Sequence, residues 1–449
     1  MTKPKTDTPA NRSQIVCVVG IWHLGAVNAV GFAEKGYRVV GLEFDRQKAS
    51  ALQEGDPPLF EPGLEAMTRK HLRSGRLQFV SDPTVVGDAD YVVIAYDSPV
   101  NERDEVNITP VADAARRIAT HLRPNTAVII TSQVPLGASE QIEKEIIMLN
   151  HAWKGGVVYT PENLRLGTAI PRFLDPDMLV LGTNRPGALK SALALYRPFR
   201  TTKLPMDLRS AEMVKHALNT FLATSITFIN EIAALADRLG ADAVLVGRAL
   251  KLDKRIGPGA LMTPGLGFAG GTLARDVIQL KKFATRHSYK AALLDSIVYV
   301  NEKTFEEILL KLKDRLGKLA GQKIGILGLT YKPGTSTLRR SPAIKLIQML
   351  RRAKAICVAY DPKASPREIE QYRKLFGRAE TIEDLAKGAS ALVLVTEWPE
   401  FKNLSFSSLA SIMKCPVMID SKNYLDPELV ARAGLEYQGF GRGYQTKEP

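Results

Sequence analysis

Short apolar runs separated by helix-sized amphipathic stretches set the rhythm of the first third of the chain. The runs Gln14–Gly20, Tyr37–Leu42, Tyr91–Ala95, Ala127–Thr131 and Val157–Tyr159 are almost wholly hydrophobic. That texture predicts strands covered on both faces, as in a parallel sheet built from βαβ units. The same rhythm returns at Lys323–Leu329, Ala355–Tyr360, Ala391–Thr396 and Val417–Asp420, with a helical spacer at Pro342–Arg352. Between the two lies a segment rich in Ala, Leu and Glu/Lys with few strand signals. Asp207–Leu239 reads as one long helix stopped by Gly240, and Asp276–Leu316 as a second helical stretch. The predicted fold class is α/β, with two Rossmann-like domains joined by a long-helix central domain. The expected divisions are a disordered leader at 1–13, a dinucleotide-binding domain at 14–205, a central helical domain at 206–318 and a second α/β domain at 319–449.

Composition narrows this picture only a little. At 449 residues the chain exceeds one ordinary core, and 45% hydrophobic with 24% charged residues is usual for a globular protein. No apolar run approaches the roughly 18 residues of a membrane span, and the polar first segment has no apolar core of a signal peptide. Cys17, Cys357 and Cys415 show no metal or redox spacing, which predicts no metal and a reducing, cytoplasmic setting. The net charge of +14 is spread along the chain and not gathered with aromatics into one segment. It suits a protein that handles small phosphorylated molecules better than one that binds nucleic acid.

The first strand runs into Gly20-Ile21-Trp22-His23-Leu24-Gly25 and then a predicted helix, Ala26–Lys35. A G-x-G-x-x-G turn here reverses the chain tightly, lets backbone approach a pyrophosphate and seats a helix N-terminus on the phosphates. Gly20 and Gly25 hold the first and third glycine places; Trp22 replaces the middle one. Glu43 ends the next strand, where an acid binds ribose hydroxyls and favours NAD over NADP. The indole either blocks the phosphate cradle or turns outward beside the cofactor, and the pattern alone leaves both open.

A series of motifs resembles the UDP-glucose/GDP-mannose dehydrogenase family. In chain order these are Glu61-Pro62-Gly63-Leu64, then Pro161-Glu162-Asn163-Leu164-Arg165. Ser210-Ala211-Glu212 follows, with Lys215, Asn219 and Phe221-Leu222-Ala223. Next come Lys254-Arg255-Ile256-Gly257 and Pro264-Gly265-Leu266-Gly267-Phe268. The last domain adds Gly328-Leu329-Thr330-Tyr331-Lys332-Pro333 with Arg339 and Ser341-Pro342, and then Thr396-Glu397-Trp398. The resemblance implies an NAD-binding first domain, a dimerising helical middle, a last domain that helps hold a nucleotide sugar, and a homodimer or higher homo-oligomer. It implies cofactor contacts at Gly20, Trp22, Leu24, Gly25, Glu43, Lys48, Ser98 and Gln133. Substrate contacts fall on Glu162, Leu164, Arg165, Lys215, Asn219, Arg255, Phe268, Gly270, Lys332 and Arg339. Cations at the last positions suit a pyrophosphate. On the long helix, at about 100° per residue, Glu212, Lys215, Asn219 and Asn230 share one narrow arc. That arc is expected to face a ligand or a polar surface, because Phe221, Leu222, Ile226, Phe228 and Ile229 leave little of the helix for water.

Family members oxidise a sugar alcohol twice. The first step needs a cation or amide near the developing alkoxide and a base-linked water, roles that match Lys215, Asn219 and Asp276, and Glu162 keeps the residue type of its family motif. The second step needs a thiolate to trap the aldehyde. In the matching loop, Ala269-Gly270-Gly271-Thr272-Leu273-Ala274-Arg275-Asp276, a threonine stands where the family has its cysteine. No histidine or other base is evident beside Thr272 to activate it. Leu166 replaces the glutamate tied to thioester hydrolysis, and Gln133 replaces a threonine. Three readings remain: a two-electron enzyme that stops at a carbonyl or re-reduces it as an epimerase would, a four-electron dehydrogenase with another nucleophile, and a non-catalytic nucleotide-sugar binder.

Overall fold

The computed structural model describes residues 14–97, 106–161, 164–268 and 272–443. The chain divides into two compact units, residues 1–215 and 216–449.

The first unit holds an eight-stranded sheet: β1 (Ile15–Val19), β2 (Arg38–Leu42), β3 (Leu77–Val80), β4 (Tyr91–Ile94), β5 (Ala127–Ile130), β6 (Val157–Tyr159), β7 (Met178–Gly182) and β8 (Thr202–Met206). Their spatial order is β3-β2-β1-β4-β5-β6-β7-β8. Every pairing is parallel except β6 with β7. The first six strands thus follow the doubly wound order, with the direction of winding reversing between β1 and β4. Helices α1 (His23–Glu34), α2 (Arg46–Gln53), α3 (Leu64–Arg73), α4 (Thr109–Ala119), α5 (Ala138–Leu149), α6 (Ala169–Leu174) and α7 (Pro186–Leu195) cover it. Val16 and Val18 of β1 enter one core and Cys17 and Val19 the other, which is why the strand is apolar throughout.

Helix α8 (Leu208–Leu239) carries the chain from the first unit into the second. It is long and apolar enough by composition to cross a membrane, yet it buries Glu212, His216, Asn219 and Asn230, as a core helix does. The second unit continues with α9 (Ala243–Leu252), α10 (Leu273–Arg286) and α11 (Ala292–Leu316). The expected single stretch 276–316 is therefore two helices. The chain turns between them, with Ser288 at φ +56°. Lys311 of α11 and Asp237 of α8 form a buried ion pair at 2.7 Å, and Asp237 also accepts the Gly441 N–H at 3.1 Å.

The second sheet comprises β9 (Lys323–Leu327), β10 (Ile356–Tyr360), β11 (Gly377–Arg378), β12 (Ala391–Leu394), β13 (Val417–Asp420) and β14 (Glu436–Gly439), in the order β11-β10-β9-β12-β13-β14, all parallel. It repeats the winding of the first sheet. Helix α12 (Pro342–Arg352) coincides with the predicted spacer, and α13 (Pro366–Gln371), α14 (Ile382–Ala386), α15 (Phe406–Ile412) and α16 (Pro427–Arg432) complete the unit. Ala233 and Ala236 of α8 and Phe305, Ile308 and Leu312 of α11 pack into its core.

The expectation that α8 leaves little surface for water is corrected by its outer face. Phe221 is 71% exposed and Phe228 47%, and Leu235 is likewise exposed, a spacing of seven residues that repeats about every second turn.

Candidate active site: two nucleotide turns and a polar helix

In the first unit the strand-to-helix turn is tighter than the sequence pattern suggested. The helix starts at His23, three residues earlier than expected, and Trp22 becomes its N-cap. Gly20 lies at φ +88°, where side chains are strained, and a Cβ there would meet the Tyr96 ring at 2.5 Å. Gly25 sits under Gly20 so closely that a Cβ would lie 1.8 Å from the Gly20 carbonyl oxygen. Gly20 is thus required by its left-handed backbone and the Tyr96 ring, and Gly25 by backbone approach, the geometry a dinucleotide turn uses. The indole of Trp22 is half exposed. The Glu43 carboxylate accepts the Ile21 N–H at 3.2 Å and the Asp45 N–H at 3.2 Å, so it lies against the turn from the end of β2. The Leu24 side chain is buried in the core beneath α1, so any contact it makes with a cofactor runs through its backbone. Lys48 stands on α2 in a loose, exposed pair with Asp45 at 3.8 Å. Gln133 is buried just beyond β5. Ser98 lies outside the described residues.

Glu61 of the Glu61-Pro62-Gly63-Leu64 motif is a buried brace. Its carboxylate accepts the Gly167 and Ala169 N–H groups, each at 2.8 Å, at the start of α6, and lies 3.0 Å from His23 Nε2. Leu164 packs against the same core, and Arg165 and Leu166 are exposed. Glu162 lies outside the described residues.

The polar arc of α8 holds loops in place. Glu212 is fully buried and accepts the Gly137 N–H at 2.5 Å and the Ser139 N–H at 2.9 Å, capping α5. Asn219 donates to Asp276 Oδ2 at 2.5 Å, and Asn230 accepts the Gly265 N–H at 3.0 Å. Of the two partners expected for this arc, a ligand or a polar surface, Glu212 and Asn230 meet the second: their oxygens serve backbone donors. Lys215, one turn from Asn219 on the same helix, is buried.

Asp276 is the centre of a cluster that the sequence did not reveal. It is completely buried in the first turn of α10, and its Oδ1 lies 2.8 Å from His216 Nδ1. The Arg275 side chain approaches the same oxygen at 4.0 Å. His216 of α8 thus meets Asp276, which lies one helical turn along α10 from Thr272. The only signal was a lone histidine beside Lys215 in an apolar helix. Thr272 is the exposed N-cap of α10; its hydroxyl makes no capping bond, although its carbonyl accepts the Asp276 N–H at 3.2 Å. Phe268 packs with Ala223, Val277 and Ile297, and its carbonyl accepts from Asn301 at 3.1 Å. Gly270 lies outside the described residues.

In the second sheet the segment after β9 repeats the first turn. Gly328 lies at φ +90° and donates to the Tyr360 carbonyl, as Gly20 does to that of Leu42. Asp361, in the place of Glu43, accepts the Leu329 N–H at 2.7 Å, the Thr330 N–H at 2.9 Å and the Trp398 indole N–H at 3.1 Å. The Thr396 hydroxyl donates to the Thr330 carbonyl at 2.7 Å. Thr396 and Trp398 therefore brace the loop that carries Lys332 and Arg339, the latter exposed. Arg255 is exposed and bonded through Nε and a terminal nitrogen to Asp253, which offsets its charge.

These segments match known proteins throughout. Residues 14–200 match the NAD binding domain of the UDP-glucose/GDP-mannose dehydrogenase family, residues 209–303 its central domain and residues 325–427 its UDP binding domain. The chain belongs to this family. It is 37% identical over 438 residues to a UDP-glucose 6-dehydrogenase of Rhizobium meliloti (strain 1021), covering 95% of this chain and 99% of that one. A UDP-glucose 6-dehydrogenase of Bacillus subtilis (strain 168) is 34% identical, with 95% and 97% covered. Among solved structures, a UDP-glucose dehydrogenase from Pyrobaculum islandicum superposes with a TM-score of 0.84 at 30% identity, covering 97% of this chain and 99% of that one. The protein is an NAD-dependent nucleotide-sugar dehydrogenase of this family type, acting on a CH–OH group.

Proposed function

We propose that this dehydrogenase oxidises a UDP-hexose by two electrons and does not proceed to the acid. The carrying observation is the start of α10, where the exposed N-cap is Thr272, the residue that the sequence resemblance sets at the family's cysteine position. Cys17 and Cys357 are buried in sheet strands, their thiols pushed up to about 12 and about 11 by burial, and Cys415 precedes β13. None supplies a thiolate in the loop. A hydroxyl is a far weaker nucleophile at neutral pH, so among the described residues no thiolate stands ready to trap an aldehyde formed there for a second oxidation.

NAD, when bound, supplies the hydride acceptor. Gly20, Gly25 and Glu43 hold it in this reading, with Trp22 beside the turn. Lys215 offers a cation to the developing alkoxide, and Asn219 orients Asp276, which takes the hydroxyl proton through water. The His216 ring holds the other Asp276 oxygen, so the carboxylate is fixed before substrate arrives. Lys332 and Arg339 face the pyrophosphate of the nucleotide sugar, and Arg255 joins them after giving up part of its bond to Asp253. A second copy of the chain covers the apolar row Phe221, Phe228 and Leu235, giving a homodimer. The three free cysteines suit the cytoplasm.

A second reading is complete four-electron oxidation to a uronic acid, favoured by the names of the UDP-glucose 6-dehydrogenase relatives. The two separate by stoichiometry. With purified protein, NAD and limiting UDP-glucose or another UDP-hexose, NADH absorbance and product mass are followed together. One NADH or fewer per sugar with a carbonyl or epimer supports the proposal; two NADH with a uronic acid overturns it.

A further inference from the structure

The anion-binding end of α1 is already in contact with an anion of the chain itself. The first intrahelical bond of α1 is Ala26 N–H to the Trp22 carbonyl at 2.8 Å. The N–H groups of His23, Leu24 and Gly25 therefore project from the helix start, where a dinucleotide's pyrophosphate sits. Leu24 N–H donates to Asp97 Oδ2 at 3.3 Å. Asp97 follows β4, the strand that adjoins β1 where the winding reverses, so its carboxylate comes from the opposite lip of the cofactor crevice. The preceding Tyr96 fixes this arrangement by lying against Gly20. Burial pushes the Tyr96 hydroxyl up, and the nearby Glu43 charge pushes it the same way, which keeps it neutral. Two carboxylates thus grip the turn through its backbone: Glu43 on Ile21, at the ribose side, and Asp97 on Leu24, at the phosphate side.

We propose that Asp97 is an internal competitor for the pyrophosphate, and that it sets a weak affinity of this chain for NAD. The inference rests on the reading that the Gly20–Gly25 turn binds NAD. A carboxylate at a helix N-terminus is itself favourable, so it resists displacement, and a diphosphate brought beside it meets like charge. The contact is long for an N–H···O bond and the Asp97 side chain is exposed. In this proposal the entering cofactor displaces the carboxylate from Leu24 N–H, at a cost that appears as affinity. Asp97 positions no reacting atom; its effect is confined to binding.

The test is calorimetric titration of the full chain with NAD and with adenosine, for the wild type, Asp97→Asn, Asp97→Ala and Glu43→Ala. Asparagine keeps an acceptor for Leu24 N–H and removes only the charge; alanine removes both. Melting curves establish that each variant is folded. The expected result is NAD binding at least tenfold tighter in both Asp97 variants, a gap that narrows at high salt, with adenosine unchanged because it carries no phosphate. Equal NAD affinity in wild type and both Asp97 variants, with binding lost in Glu43→Ala, overturns the proposal and leaves the NAD reading standing. Absence of NAD binding in every form, Asp97→Asn included, overturns both.

Discussion

Glu212→Ala separates a brace from a ligand contact on α8. In the native chain the buried Glu212 carboxylate accepts the N–H groups of Gly137 and Ser139, where α5 begins. Gly137, the N-cap, lies at φ +84° and has no side chain with which to cap the helix itself. Alanine leaves one buried donor, Ser139 N–H, and one part-buried donor, Gly137 N–H, without an acceptor, at about 1–3 kcal/mol each with the second toward the lower end. Part of that loss is returned, because burying a carboxylate is itself costly: burial raises the Glu212 carboxyl above its ordinary range, more than the two backbone bonds lower it. A net loss of about 2–4 kcal/mol follows, which for a unit of this size lowers the melting temperature by roughly 4–16 °C. The assay is a thermal melt followed by circular dichroism, paired with a UDP-glucose titration of the folded variant well below its melting point. The expected outcome is a lower melting temperature with nearly unchanged sugar-nucleotide affinity. An unchanged melt with weakened binding would refute the reasoning. The pH dependence adds a sign. A raised carboxyl keeps its proton in the folded chain over a range above about 4.3 in which the unfolded chain has lost it, so stability falls as pH rises through that window. Glu212→Gln removes this slope.

Three further outcomes follow from the same geometry. With a thiol reagent at pH 8, Cys415 reacts first, while Cys17 and Cys357, raised to about 12 and about 11, hold thiolate fractions of only ~10⁻⁴ and ~10⁻³ and react fully only on denaturation; three fast thiols in the native chain would contradict their burial. Arg339→Ala weakens nucleotide-sugar binding tenfold or more and leaves NAD binding nearly unchanged, and equal sugar-nucleotide affinity by titration counts against the role given to its loop. Gly25→Ala forces α1 away from β1, because the new Cβ cannot sit 1.8 Å from the Gly20 oxygen, so both NAD affinity and melting temperature fall; a variant with native melting and affinity would show that the turn is slack.

The sequence carried those features whose cause is local. Strands β1, β2, β4, β5 and β6 were legible because a strand covered on both faces must be apolar at every position, whichever neighbours it pairs with. The glycines of the first turn were legible because a left-handed residue and a close backbone approach exclude other side chains. Strands β3, β8, β11 and β14 were missed because edge and near-edge strands need not be apolar: Leu77–Val80 alternates and Thr202–Met206 is mostly exposed. β7 was missed as well, although it is as apolar as the strands that were found.

The tertiary structure alone decided where polar groups find their partners. Glu212 meets Gly137 across 75 residues, His216 meets Asp276 across 60 and Leu24 meets Asp97 across 73. Helical periodicity reports which face of α8 is polar; it contains no term for what lies opposite. A buried polar group must be paired, but a loop's backbone, a second side chain and a bound ligand satisfy that requirement equally well. Only the packing of one element on another selects among them.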